Sequence, residues 1–289
     1  MKRFFLFFMA FTALTLFFSA RPASALDESF NQYKDKGLVI AQEADMAPMS
    51  FMGVNGQPKG YIIDLWRKWS AETGIPVIFL LVDWADTLTS VRDGRADVHG
   101  GLFYTDQRDE FLDFTLPFFS SRGGLFVKAG SPVRGVSDLD GAQVGVIQQS
   151  FYDDYIRQQY PTINPVPIKT AAELVTAADR GKVVAFLADY PTLMYQINSM
   201  GKLKEFKVVQ FVSVQEFRAA VAEGNEAVLS VVAKGLDLID PQERQVIMNR
   251  WIINEETSAT DWILPTALLC GVGLLIAILV PFLLGRFKR

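Results

Sequence analysis

Two residue types are almost missing from this chain: it has one cysteine, Cys270, and one histidine, His99. Cys270 lies in a long apolar run near the C-terminus, so the rest of the chain has no disulfide and relies on a packed core. No cysteine follows the N-terminal apolar segment as a lipid-anchor site. A lone histidine without a cysteine partner makes no cysteine–histidine metal centre. No metal or other cofactor is therefore expected, and His99 reads as a strand residue rather than a proton shuttle. Positive charge is also scarce. Setting aside Lys2, Arg3, Arg21, Arg286, Lys288 and Arg289 at the two ends leaves 22 basic side chains against 32 acidic ones. A net charge near −10 argues against a nucleic-acid partner.

Apolar sequence, by contrast, is abundant, and half of the 289 residues are hydrophobic. Residues 4–20 follow Lys2 and Arg3 and lead to Ala23-Ser24-Ala25. That is the basic, apolar and small-residue order of a secretory signal, with cleavage expected after Ala25. Trp262 to Leu284 is 23 residues without a charge, long enough to span a bilayer. Arg286, Lys288 and Arg289 follow it, which places the C-terminus in the cytoplasm by the positive-inside rule. The expected organisation is a signal peptide (1–25), an exported domain (26–258), one transmembrane helix (259–285) and a short tail (286–289). Localisation is then the inner membrane, with the domain in the periplasm.

Within the exported part, strands alternate with helices, which indicates an α/β class with parallel sheets. Leu38–Ala41, Val77–Val82, 96–103 and 123–128 read as strands, and 61–72 as a helix closed by Gly74. Asp86 reads as the cap of a short helix ending at Gly94. From Val136 the pattern restarts. Ser150 with Asp153, and Thr170 with Glu173, mark helix starts in capping-box fashion. Pro191 follows Asp189-Tyr190 at another helix start. Lys207–Val214 reads as a strand, and Glu226–Leu238 and Pro241–Trp251 as helices. Residues 136–206 thus look like a second α/β unit inserted in the first.

The residues 100–117, GGLFYTDQRDEFLDFTLP, carry the sharpest chemical signal. Thr105 or Asp106 caps a polar turn that presents Arg108. An arginine beside unpaired helix N–H groups suits a carboxylate as a two-pronged donor. Read alone, the same arginine also fits a surface ion pair with Asp109 or Glu110.

The order of these signals resembles the type 2 periplasmic binding proteins, specifically the amino-acid-binding solute-binding family 3. LVIAQEADMAPMSF (38–51) and GQPKGYIIDLW (56–66) are similar to the family's opening strand, ligand loop and first helix. DWADTLTSVRDGRAD (83–97), YTDQRDEFLDFTLPF (104–118), DLDGAQVGVIQQSFYDDY (138–155) and GKVVAFLADYPTLMY (181–195) follow in the family's order. The resemblance implies a two-lobed Venus-flytrap fold closing on a small ligand, with lobe 1 at about 26–127 and 209–258 and lobe 2 at about 128–208. It implies that Arg108 takes a ligand α-carboxylate, helped by backbone N–H groups near Gly101 and Phe103 and by Ser150. Asp189 takes the ammonium or, alternatively, only caps its helix. Trp84 packs against the ligand opposite Met46, and Glu43 meets the ligand side chain. Phe103, Gln149 and Phe151 depart from the family's small or hydroxyl residues, and the Asp97-to-Arg108 interval is one residue short.

A C-terminal span after such a domain is similar to the sensor modules of histidine kinases and diguanylate cyclases. The expected function is a membrane-anchored solute-binding sensor rather than an enzyme. With only GRFKR after the span, the output is expected from a signalling partner or from a longer chain. A tethered receptor for an amino-acid transporter is the alternative. A dehydratase acting on prephenate or arogenate, with Glu43 as general acid, is a third reading.

Overall fold

The computed structural model describes residues 30–252. The signal-like segment and the apolar run at 262–284 both lie outside the described residues. Among the described residues no helix is long and apolar enough to cross a membrane. Contacts divide the chain into two units at Asp240.

The first unit is built on one nine-stranded sheet. One half holds β1 (Leu38–Glu43), β5 (Val77–Val82), β6 (Val98–Phe103) and β7 (Leu112–Phe114). β1 lies between β5 and β6 and runs parallel to both. β9 (Gln143–Ile147), β10 (Asn164–Ile168) and β11 (Ala185–Asp189) form the other half, with β9 central and parallel to both neighbours. Two long strands, β8 (Phe119–Lys128) and β12 (Phe206–Ala222), join the halves and pair antiparallel with each other. β12 also pairs antiparallel with β6 and β7, and β8 with β11. The sheet is therefore mixed, not parallel throughout. Sequence periodicity sees the alternation of strands with helices but not the direction of a strand that returns from a second lobe. β12 also outruns the expected Lys207–Val214, because its later residues are held by β6 and β7 rather than by local pattern.

Each half has its own core. Leu102, Leu112, Val91 and Ala220 pack together in lobe 1, and Phe126, Phe186, Leu174 and Leu193 in lobe 2. Helix α1 (Tyr61–Thr73) buries Ile62, Leu65, Trp66 and Trp69 and ends at Gly74 with φ 70°, a left-handed value that glycine adopts without strain. Trp69 Nε1 donates to Val232 O of α7 (Glu226–Leu238) at 3.1 Å. Further helices are α2 (Trp84–Arg92), the one-turn α3 (Asp106–Asp109), α4 (Phe151–Gln159), α5 (Ala171–Asp179) and α6 (Tyr190–Ser199). A small sheet of β2 (Asp45–Met46), β3 (Ser50–Met52) and β4 (Pro58–Lys59) folds over the turn at Asn55-Gly56. In the second unit the described element is α8 (Pro241–Trp251), opened by its proline and braced by Gln245 donating to Asn249 at 2.8 Å.

Candidate functional site

Open α/β sheets bind ligands beyond the C-terminal ends of their strands. Here β1 ends at Glu43, β6 at Phe103, β9 at Ile147 and β11 at Asp189. All four residues line one cavity between the lobes, of about 70 Å³. The first turns of α2, α4, α5 and α6 supply Trp84, Phe151, Tyr152, Ala171 and Thr192 to the same wall. Helix N-termini carry partial positive charge, so this cavity favours an anion. All eight residues expected from the sequence line it: Glu43, Met46, Trp84, Gly101, Phe103, Arg108, Ser150 and Asp189.

Arg108 is 7% exposed. Thr105, not Asp106, caps its turn, accepting from Arg108 N at 3.2 Å. Nη1 donates to Phe103 O at 2.7 Å, and the guanidinium lies 5.0 Å from the Trp84 ring. Neither Asp109 nor Glu110 pairs with it; among the described residues no carboxylate lies within ion-pair distance. Burial lowers its pKa to about 10, against the attraction of Asp154, so it remains charged. A buried guanidinium has five donors, and here one side-chain bond is made.

The carboxyls opposite are held back from ionising. Burial pushes Glu43 up to about 7, with Asp45, Asp189 and Asp83 adding repulsion. Asp189 is likewise pushed up to about 7 by burial, although Ser121 donates to its Oδ1 at 3.0 Å. Its side chain makes no cap bond at the start of α6 and is left to the cavity. Tyr152 Oη lies beside Asp189 and Ser213 and meets hydrogen-bond geometry with neither. Thr192 Oγ1 is also buried without a partner.

His99 supports this site from behind. Its Nδ1 accepts from Gly101 N at 3.3 Å, which puts the proton on Nε2, 3.0 Å from Thr87 Oγ1. Thr87 in turn donates to Trp84 O at 2.7 Å, and the His99 ring meets the Trp84 ring edge-on at 5.8 Å. Burial and Arg108 lower His99 to about 3, so it stays neutral. The Gly101 N–H expected to help Arg108 is thus already engaged by the histidine. Ser150 Oγ similarly accepts from Asp153 N.

Two differences from the sequence reading stand out. α2 begins at Trp84, not at Asp86, and Asp83 before it reaches Lys169 of the other lobe at 3.1 Å. Gln149 has φ 56°, a left-handed value rare outside glycine, and its carbonyl accepts from Trp84 Nε1 at 3.0 Å across the cleft. Asp45, Tyr152 and Thr192 were missed. Thr192 was within reach, since it sits three residues after Asp189 on one helical face; Tyr152 carried no signal of its own.

The family model for bacterial extracellular solute-binding proteins, family 3, matches residues 38–254. The amino-acid-binding protein AabA of Dichelobacter nodosus is 24% identical, over 74% of this chain and 86% of its own length. The virulence sensor protein BvgS of Bordetella bronchiseptica is 25% identical over 90% of this chain, which spans only 21% of that protein. The crystal structure of a histidine kinase sensor domain with similarity to periplasmic binding proteins superposes with a TM-score of 0.71. At 24% identity, over 75% of this chain and 96% of that one, it bears on the fold alone. The nine-stranded, two-lobed architecture and the match over most of the described residues place this chain among the bacterial extracellular solute-binding proteins of family 3.

Proposed function

We propose that this chain is a membrane-anchored periplasmic sensor that closes on a small zwitterion, an amino acid or a close relative of one. One observation carries the reading: a buried guanidinium without an ion pair faces Asp189 and Glu43 across a single cavity. An α-carboxylate completes the donors of Arg108, and an ammonium ionises and pairs the two carboxyls. Trp84, Met46, Phe103 and Ser150 frame the bound molecule, and Gly101 positions the wall. Anchoring is supported by the 23 uncharged residues before Arg286, Lys288 and Arg289, and sensing by the named activity of BvgS. The signal peptide and domain limits (26–258 exported, 259–285 in the membrane) belong to the same proposal. Closure shifts the population toward the form that binds better, and a partner protein reads the change.

The test is thermal unfolding of the full chain with each amino acid and small carboxylic acid in turn. A ligand at about 100 times its dissociation constant adds roughly 2.7 kcal/mol of stability. We expect one group of compounds to raise the melting temperature and Arg108→Ala to abolish the rise. A rise that survives Arg108→Ala would remove the carboxylate from the guanidinium.

One observation favours the dehydratase reading, namely Glu43 near pH 7, a value suited to a general acid. Prephenate incubated with the protein yields phenylpyruvate if that reading holds. The family match and the amino-acid-binding relative support binding, which we favour.

A further inference from the structure

Aromatic rings line much of the cavity beside Arg108. Phe103 reaches in from β6 and Phe151 from the start of α4, and they meet edge-on at 5.8 Å. Tyr152 closes the corner, 6.3 Å from Phe103 and 5.2 Å from Phe151. The rings are backed on both sides: Phe217 stands 4.5 Å behind Phe103, and Tyr155 stacks on Phe151 at 5.8 Å. What remains is about 70 Å³.

Thr192 and Tyr152 also line it, with their hydroxyl oxygens buried. A second cavity of about 220 Å³ lies alongside, lined by Asp83, Asp86 and Lys169. Glu43, Asp45, Trp84 and Ile147 line both.

We propose that Phe103 and Phe151 form a size filter, one ring from each lobe, that restricts this site to the smallest zwitterions, of the size of glycine, alanine or β-alanine. The inference rests on the reading that a ligand carboxylate meets Arg108, and it adds the ligand class and the two residues that set it. Phe151 is the decisive one, since it is only partly buried and can be trimmed without opening a core.

The experiment is calorimetric titration of the full chain, purified in mild detergent, with glycine, alanine, β-alanine, leucine, phenylalanine and lysine. Wild type is expected to bind one of the first three at least 100-fold more tightly than leucine or phenylalanine. Phe151→Ala is expected to gain at least tenfold in leucine affinity while glycine and alanine change by less than threefold. Phe151→Leu, which keeps an apolar contact with Phe103, should gain less. Wild type binding leucine as tightly as alanine overturns the filter and leaves the carboxylate reading standing. Tighter binding of lysine than of alanine does the same, and assigns the second cavity to a cationic tail. Absence of heat from all six compounds in wild type and both variants overturns the filter and the zwitterion reading together.

Discussion

Glu43 and Asp189 lie opposite a buried arginine, yet both hold their protons near neutrality: burial outweighs the hydrogen bonds at Asp189, and at Glu43 it is reinforced by neighbouring carboxyls. This has opposite consequences for stability and for binding. Unfolded carboxyls titrate near pH 4, so between about pH 4 and 7 the folded protein binds more protons than the unfolded chain. Stability without ligand therefore falls as pH rises through that window and levels off above it. The groups that act on these carboxyls are Ser121 and Tyr152 at Asp189, and Asp45, Asp189 and Asp83 at Glu43; Arg108, the cation across the cavity, lowers neither. An ammonium ligand needs an ionised carboxylate, so its affinity rises with pH instead. With one group near 7 controlling it, the gain from pH 6 to 8 is about tenfold. Melting temperature at pH 5 and 8, set beside titrations at pH 6 and 8, checks both slopes. Two trends of the same sign would refute the assignment of the ammonium to these residues.

The strands and helices that carry these residues were legible to different degrees. α7 and α8 were readable at their full bounds, α7 from apolar residues at helical spacing and α8 from its opening proline. α2 was not, since Asp83 and Asp86 are both of the capping type and only the structure shows which one precedes the helix. β2–β4 escaped because strands of two or three residues have no period. The position of Tyr152 was hidden for a related reason: what admits it is Gly123 on β8. A Cβ at Gly123 would lie 2.8 Å from Tyr152 Cζ and 2.9 Å from its hydroxyl. Gly123→Ala is thus expected to cost about 1–3 kcal/mol by overpacking. That lowers the melting temperature by about 2–4 °C per kcal/mol in a domain of this size. It also shifts Tyr152 in the cavity, so ligand affinity should fall with stability. A variant that melts like wild type and binds like wild type would show that strand and ring separate freely.

Two polar contacts bridge the lobes of the first unit side by side, from Trp84 to Gln149 and from Asp83 to Lys169. They are unequal. Both members of the ion pair are more than half exposed, with 57% and 66% of their side chains accessible, and such pairs contribute about 0–1 kcal/mol. The indole bond is neutral, but it ends on the carbonyl of a residue held at φ 56°, so the lobe-2 loop is shaped to meet it. If closure of the lobes is what ligand binding selects, each contact contributes to affinity by the amount it favours the closed form. Lys169→Ala should then weaken the ligand found in the thermal screen by no more than about fivefold, the equivalent of about 1 kcal/mol. The difference should vanish near 1 M salt, where the screening length is about 3 Å. Trp84→Phe keeps the ring against Arg108 and His99 and removes only the donor. Its loss, of the order of fivefold to tenfold from one neutral hydrogen bond, should persist in salt. Titrations of wild type and the two variants at low and high salt separate these effects. A large, salt-independent loss in Lys169→Ala would mean that the lysine meets the ligand itself, and that the second cavity, not the aromatic one, holds part of it.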